Sequence, residues 1–146
     1  MIKKILYRFL DIHPDAISFQ GSMDLTGLPI VTLYQGEKKI YFLLDTGSTD
    51  CVINESCLKE FKHRMLDVTA SHEGLEGIKR QVKTCLINVY YKDKGYECPC
   101  LIRDMSKVFN SIKKETGVTI HGILGSKFFN EFKYVLDFDK LIAYSK

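Results

Sequence analysis

Residues 40–49 have the sequence IYFLLDTGST, and this stretch decides the predicted fold. Its first half is apolar and contains β-branched and aromatic residues, which is typical of a buried strand. The strand leads directly into a Thr-Gly turn, so we expect the carboxyl group of Asp45 at the end of a buried strand. Asp and Gly are also ordinary turn residues, and the turn alone does not distinguish a catalytic loop from a structural one.

Strands and short helices are predicted on both sides of this stretch. Alternation and turn residues predict strands over 29–34, 39–44, 51–53, 84–91 and 96–103, and a final hairpin over 134–139 and 141–144. Asn54 is a predicted helix cap, and Ser126 is a predicted cap for a helix over 127–131. An amphipathic helix is predicted near 105–112 and ends at Gly117. The architecture is therefore mostly β, with three or four short helices.

Two regions fit this pattern less well. Residues 62–83 are polar and contain glycines, and we expect a long hairpin or a mobile loop there. Residues 1–27 form a predicted N-terminal extension, with a short amphipathic helix near its start and a weak strand and loop over 15–27. We expect the extension to pack on the main domain, which spans 28–146, or on a partner.

A second motif lies about eighty residues after Asp45, where Gly122-Ile123-Leu124-Gly125 forms another apolar strand that stops at a glycine. An apolar pair followed by Asp-Thr-Gly-Ser, with a distant apolar-apolar-Gly segment, resembles the aspartic proteases, specifically their single-lobed, retropepsin-like branch. The resemblance runs from about residue 28 to the C-terminus, with a poorly matching middle. It implies a closed, single-lobe β-barrel that is dimeric, because the retroviral members of the family are homodimers.

The resemblance also implies roles for individual residues. Asp45 would be the catalytic carboxylate, and Thr46 would brace the active-site loops across the dimer axis. Gly47 would let a peptide backbone approach, and Ser48 would place a hydroxyl near the carboxylate and stabilise its ionised form. The second loop would consist of Gly122, Ile123, Leu124 and Gly125, and the substrate-binding flap candidates are Gly74, Leu75, Gly77 and Ile78.

The number of catalytic motifs in the chain predicts its oligomeric state. Peptide hydrolysis by carboxylates needs two acids that share one proton, because like charges in contact cannot both ionise. One acid then activates a water while the other protonates the substrate, and neither a metal nor a cofactor is required. The chain contains a single Asp-Thr-Gly, since the imitation Asp24-Leu25-Thr26-Gly27 has an extra residue and follows no apolar strand. A working pair therefore needs Asp45 from two chains across a two-fold axis.

These observations predict a homodimeric aspartic endopeptidase that binds an extended peptide by strand addition. The alternative is the same fold used as a dimerisation or peptide-binding module without turnover. Two features depart from the retroviral pattern. Ser126-Lys127 stands where those enzymes place an Arg that helps to hold the dimer, and the helix over about 103–115 is an insertion.

Composition and charge argue against nucleic-acid-binding and membrane-spanning proteins. The net charge is +3, with basic residues scattered among 18 acids, which does not indicate a nucleic-acid partner. No apolar run is long enough for a membrane span, and the start lacks a signal-like apolar core, so we expect a cytoplasmic protein. Five cysteines, an odd number without the density of a disulfide scaffold, also favour a reducing compartment.

Cys98-Pro99-Cys100 and His121 are the remaining candidate groups. The Cys-Pro-Cys spacing differs from the Cys-x-x-Cys pattern of zinc and thioredoxin-like sites, and alternation puts both sulfurs on one face of a strand. A buried structural role is the favoured interpretation, and a metal-dependent function is the alternative. His121 adjoins the second loop and could influence the pH response, but a structural histidine is the favoured interpretation.

Overall fold

A computed structural model describes residues 2, 3, 5, 11–73 and 79–146, without side chains at 69–73, 79 and 80. The elements of the described chain are, in order, β1 (Ile17–Ser18), α1 (Gln20–Thr26), β2 (Ile30–Gln35), β3 (Lys38–Leu44), β4 (Cys51–Asn54), a 3₁₀ helix (Glu55–Glu60), β5 (Arg64–Glu73), β6 (Lys79–Tyr91), β7 (Lys94–Arg103), α2 (Ser106–Thr116), β8 (Gly122–Leu124), α3 (Ser126–Glu131), β9 (Tyr134–Asp137) and β10 (Ile142–Ser145). The mostly β architecture with short helices is the one predicted from the sequence.

Six strands close into a barrel. Neighbouring strands follow the order β2-β3-β8-β4-β7-β6, and β2 pairs again with β6 at Tyr34 and Tyr90, which closes the ring. β3 is parallel to β8 and β4 is parallel to β7, whereas β4 and β8 are antiparallel. β5 lies outside the ring as the other arm of a long hairpin with β6. This ring confirms the predicted closed β-barrel, in which closure removes exposed strand edges.

Turn residues set the register of the barrel hairpins. The turn between β2 and β3 contains Gly36 with a φ of 59°, a left-handed conformation that glycine adopts without strain. A two-residue turn joins β6 to β7. The resulting register places Cys85 opposite Cys100 and Ile87 opposite Cys98.

The interior of the barrel holds the main apolar core. Successive strand residues point to opposite faces, so every second residue of each barrel strand can point inward. Fully buried members of this core include Val31, Leu33, Ile40, Phe42, Ile53, Ile87, Val89 and Leu124. Burial of each of these side chains contributes about 1.5–3 kcal/mol to the hydrophobic stabilisation, before the entropy cost of folding.

A second apolar cluster lies on the outer face of the sheet beneath α2. The helix contributes Phe109, and the strands contribute Val52, Leu101 and Ile123. Gly117 ends α2 in the left-handed conformation and donates its N–H to a carbonyl of the last turn, as predicted. The inserted helix therefore covers the sheet face next to the end of β3.

The chain ends build a separate three-stranded sheet. β10 lies in its centre, with β1 on one side and β9 on the other, so within the described chain no strand pairs with the outer edge of β9. The Lys146 N–H donates to the Lys133 carbonyl. Because hydrogen-bonded and non-hydrogen-bonded positions alternate in an antiparallel ladder, the backbone N–H and C=O groups of Tyr134 and Leu136 point toward the open edge.

Three local predictions differ from the structure. Residues 20–26 form a helix where a loop was predicted, because the Ser22 hydroxyl bonds main-chain groups beyond the helix end. Asn54 precedes the 3₁₀ helix, but its side-chain oxygen accepts the Met105 N–H at 2.9 Å instead of capping that helix. Ser126 begins α3, whose N-cap is Gly125, and the Ser126 hydroxyl bonds a different part of the chain.

Two further predictions fall partly outside the described residues. The long hairpin predicted over 62–83 is present as β5 and β6, and residues 74–78 lie outside the described ranges. The predicted N-terminal helix also lies mostly outside them, although Ile2 and Ile5 are described and exposed. Among the helices in the described ranges, none combines the length and hydropathy needed to cross a membrane.

Candidate active site

Asp45 lies where two parallel strands end together. β3 and β8 are paired so that Phe42 is opposite Gly122 and Leu44 is opposite Leu124. The Asp45 N–H then donates to the Leu124 carbonyl, with an N–O distance of 3.0 Å. The fold thus brings together the two motifs that the sequence analysis singled out, although nearly eighty residues separate them in the chain.

Two glycines allow β8 and the residue after it to lie close to β4. A Cβ atom on Gly122 would lie 2.4 Å from the Val52 carbonyl oxygen, and one on Gly125 would lie 2.5 Å from the Asp50 carbonyl oxygen. Both obstacles are backbone atoms, which cannot move aside as a flexible side chain can. Gly122 in β8 and Gly125 just after it are therefore needed for close packing against β4 and the residue that precedes it.

The turn after β3 fixes one oxygen of the Asp45 carboxylate. Oδ1 accepts the Gly47 N–H at 2.9 Å, and the Ser48 N–H donates to the Asp45 carbonyl at 3.2 Å. The other oxygen, Oδ2, accepts no hydrogen bond from the described residues. Asp45 is only half-buried, so this oxygen is available to a ligand or to another chain.

Thr46 and Ser48 flank Gly47 but make different contacts. Thr46 is exposed, and its hydroxyl forms no hydrogen bond with the part of the chain that the structure describes. The Ser48 hydroxyl donates to the Asp50 carbonyl at 2.8 Å and not to the Asp45 carboxylate. The contact expected for Ser48 is therefore not formed within one chain, whereas Thr46 is free to make its expected contact with a second chain.

The beginning of α3 holds the active-site loop in place. The Ser126 N–H donates to the Ser48 carbonyl at 2.8 Å, and its hydroxyl donates to the Ser48 carbonyl at 2.9 Å and to the Thr46 carbonyl at 3.4 Å. The next residue, Lys127, forms a salt bridge with Asp50. Sequence reasoning missed these contacts, since it predicted Ser126 as a helix cap and noted Ser126-Lys127 as a departure from the family pattern. That departure was the available signal.

A buried apolar cluster lies next to the end of the strand that carries Asp45. Alternation along β3 places Leu43 on the outer face of the sheet, where it packs against the cluster that contains Val52 and Ile123. Val82 of β6 packs against the same cluster, so the long hairpin reaches this face. The flap candidates Gly74, Leu75, Gly77 and Ile78 lie outside the described residues.

His121 has a structural position behind the second loop. Its Nδ1 accepts the Tyr41 N–H at 2.9 Å, and its ring stacks on Tyr41 and meets Phe61 edge to face. Burial lowers the pKa of His121, while Glu60 opposes this decrease and Lys113 adds to it. A ring nitrogen that accepts a hydrogen bond is unprotonated, so the contact and the burial both favour the neutral ring.

We expect the stability of the fold to decrease as the pH falls below about 6.5 because of His121. Its folded-state pKa is lowered, so its contribution is complete above the unfolded value and is lost in more acidic solution. His121→Asn keeps an acceptor near the Nδ1 position and removes the titration. Its melting temperature should therefore change less between about pH 7 and pH 5, although its absolute value is lower. The control is His63→Asn at an exposed position. If the melting temperature changes equally with pH in the unmodified protein and in both variants, this account is contradicted.

The cysteines form no metal-binding group in the described chain. All five are free thiols and buried. No group of three or more His, Cys, Asp or Glu side chains in the described ranges has a geometry that could hold a metal ion. Cys98 and Cys100 share one face of β7 inside the main core, as alternation predicted.

The fold is similar to that of a solved structure. The crystal structure of a retropepsin-like aspartic protease from Rickettsia conorii matches with a TM-score of 0.50 at 16% sequence identity, over 88% of this chain and 87% of that chain. No protein-family model and no curated protein match the sequence. At this level of identity the likeness shows a retropepsin-like fold.

Proposed function

We propose that this protein is an aspartic endopeptidase that works as a homodimer, with Asp45 of each subunit at one shared site. The observation that carries the proposal is the junction where the Asp45 N–H meets the Leu124 carbonyl, at the ends of two parallel strands of a retropepsin-like barrel. This junction presents a half-buried carboxylate with one oxygen held by Gly47 and the other open.

The reaction follows from the chemistry of two carboxyl groups in contact. They hold one proton between them, because double ionisation would place like charges side by side. The ionised member removes a proton from a water molecule as that water attacks the peptide carbonyl, and the protonated member donates to the carbonyl oxygen. A proton then passes to the leaving nitrogen as the C–N bond breaks. The pair regains its shared proton without a covalent intermediate.

The open edge of β9 offers a way for two chains to meet. Two β9 strands can pair in antiparallel fashion about a two-fold axis, with Tyr134 of one chain opposite Leu136 of the other. This register uses all the outward N–H and C=O groups of both residues and joins the two terminal sheets into one sheet. Val135 then lies on the axis opposite its own copy, with Cα atoms about 4.5 Å apart.

The proposed substrate is an extended peptide or protein segment. The family resemblance implies a preference for apolar side chains near the cleaved bond, and the partly exposed side chain of Leu43 lies two residues before Asp45. The β5–β6 hairpin would close over the bound peptide and exclude water. Thr46 would donate its hydroxyl hydrogen bond to the partner's loop.

Ser126 is expected to position the active-site loop without touching the substrate. Its hydroxyl bonds the carbonyls on both sides of Gly47, so Ser126→Ala should lower kcat about tenfold and change KM less than about twofold. Ser22→Ala is the matched control. Ser22 lies in α1, away from the active-site loop, and its hydroxyl also bonds main-chain groups, those of Leu28 and Ile30. Steady-state kinetics that show the same kcat loss in both variants, or none in Ser126→Ala, would contradict the positioning role.

Cleavage of a peptide library by the purified protein, at acidic to neutral pH, tests the proposed activity. We expect cuts between apolar residues, and inhibition by a statine-type compound that imitates the tetrahedral intermediate. A dimer that binds peptides and cuts none would contradict the proposal and favour the module without turnover.

A cytoplasmic location is part of the proposal. All five cysteines are buried and none is joined in a disulfide. Free thiols persist in reducing compartments, whereas secreted domains of this size often use disulfides. Cell fractionation, with a marker protein for each compartment, would check this assignment. The protein should be found in the cytoplasmic fraction.

A further inference from the structure

Three cysteines lie in one row across neighbouring strands. Cys51 of β4 is paired with Cys100 of β7, and Cys100 is also paired with Cys85 of β6. Paired positions on adjacent strands carry side chains on the same face, and the strands lie about 4.7–4.9 Å apart. The row therefore holds neighbouring sulfur atoms near one another in the core.

One pair in this row lies next to a cavity. A hydrogen-bond interaction between the Cys51 and Cys100 thiols acts on the pKa values of both, and the Cys100 thiol also donates to the Cys98 carbonyl at 3.4 Å. Both residues contribute to the wall of a cavity of about 790 Å³, together with Leu66, Leu101 and Phe128. Cys85 does not line this cavity. Cys51 is 4% exposed and Cys100 is 1% exposed, so a small reagent in the cavity meets Cys51 first.

The two thiols differ in readiness to react. The hydrogen bond from Cys100 lowers the pKa of Cys51, although burial opposes the decrease. The same bond and burial raise the pKa of Cys100, and burial raises the pKa values of Cys57 and Cys85 to about 11. The thiolate is the reactive form of cysteine, so Cys51 is expected to react first.

We propose that Cys51 and Cys100 form an oxidation site, at which hydrogen peroxide converts the two thiols into a disulfide. The Cys51 thiolate attacks one peroxide oxygen, the O–O bond breaks, and the departing hydroxide takes a proton to leave as water. The product is a sulfenic acid on Cys51. The Cys100 sulfur then attacks the Cys51 sulfur and displaces hydroxide, which takes the Cys100 proton as a second water. The two thiols lose two electrons, and the peroxide is reduced.

The disulfide would disturb the loop that carries Asp45. A disulfide needs Cβ atoms about 3.5–4.5 Å apart, which is less than the strand spacing, so it draws the start of β4 toward β7. Asp50 directly precedes Cys51, and its carbonyl already lies against Gly125, where an added Cβ would be 2.5 Å away. We therefore expect oxidation to lower peptidase activity reversibly. This consequence rests on the proposed function, whereas disulfide formation does not.

Intact-mass measurement of the native protein, treated with a small excess of hydrogen peroxide, tests the proposal. We expect a loss of about 2 Da that dithiothreitol reverses, and a Cys51–Cys100 cross-link in the proteolytic map. The proposal is overturned if both thiols persist, if the cross-link joins another pair, or if oxidation stops at a sulfinic acid on Cys51.

Variants provide the controls. Cys51→Ala and Cys100→Ala should each abolish the mass loss, and Cys57→Ala, which removes a buried thiol outside the row, should retain it. If an alanine variant does not fold, the cross-link map of the unmodified protein decides by itself. A cross-link in a protein that cuts no peptide would support the oxidation site and contradict the proposed function.

Discussion

Replacing Asp45 by Asn is expected to lower kcat/KM by at least about a thousandfold, because general acid–base catalysis of this kind is lost with the carboxyl group. Asn has the same shape, and its Oδ1 can still accept the Gly47 N–H that holds the turn. Neither of two facing amides can share a proton or take one from water. Cleavage of an apolar reporter peptide measures the loss, and a thermal melt verifies that the fold is kept.

Asp24→Asn is the matched control for this substitution. Asp24 begins the imitation Asp-Leu-Thr-Gly and is exposed on α1, where no second motif approaches it. We expect its activity to equal that of the unmodified protein. Activity that survives Asp45→Asn, or an equal loss in both variants, would exclude Asp45 as the catalytic acid.

Val135→Asp is expected to separate the dimer and, with it, the activity. In the proposed pairing of two β9 strands, Val135 faces its own copy, so the variant places two carboxylates directly opposite each other. Desolvation and repulsion together should cost about 3 kcal/mol, which raises the dimer dissociation constant roughly 100-fold. Val135 lies outside the main core cluster, so the single chain should stay folded. Analytical ultracentrifugation at several concentrations measures the change.

Val108→Asp is the corresponding control for the oligomeric state. Val108 lies on α2 and is 53% exposed, away from the terminal sheet. The same charge introduced there should leave the dimer intact. If Val135→Asp remains as dimeric as the unmodified protein, the two chains do not meet along β9.

The barrel hairpins were predictable because their signals are local. Both strands of the β2–β3 hairpin are rich in β-branched and aromatic residues, and Gly36 marks the turn between them. The parallel pairing of β3 with β8 has no such signal, because the two strands are far apart in the chain. It could be anticipated only from the family resemblance of the Asp-Thr-Gly and Ile-Leu-Gly segments.

The errors occurred where a distant contact decides the conformation. α1 buries no residue and is short, so its periodicity is weak, and the Ser22 hydroxyl that supports it bonds Leu28 and Ile30 outside the helix. Ser126 fits the local rule for a helix cap, but its hydroxyl bonds the loop after β3. Local capping rules consider only the adjacent turn, so they could not place this side chain.

Mixing the unmodified protein with Asp45→Asn tests the central claim most directly, which is that each active site takes one carboxyl group from each of two chains. After subunit exchange at a fixed total concentration, a mixed dimer carries only one carboxyl group and should be inactive. We predict that cleavage falls with the square of the unmodified fraction, so an equal mixture retains about a quarter of the activity. A linear decline, with half of the activity left in the equal mixture, would mean that each Asp45 works alone and would contradict the account.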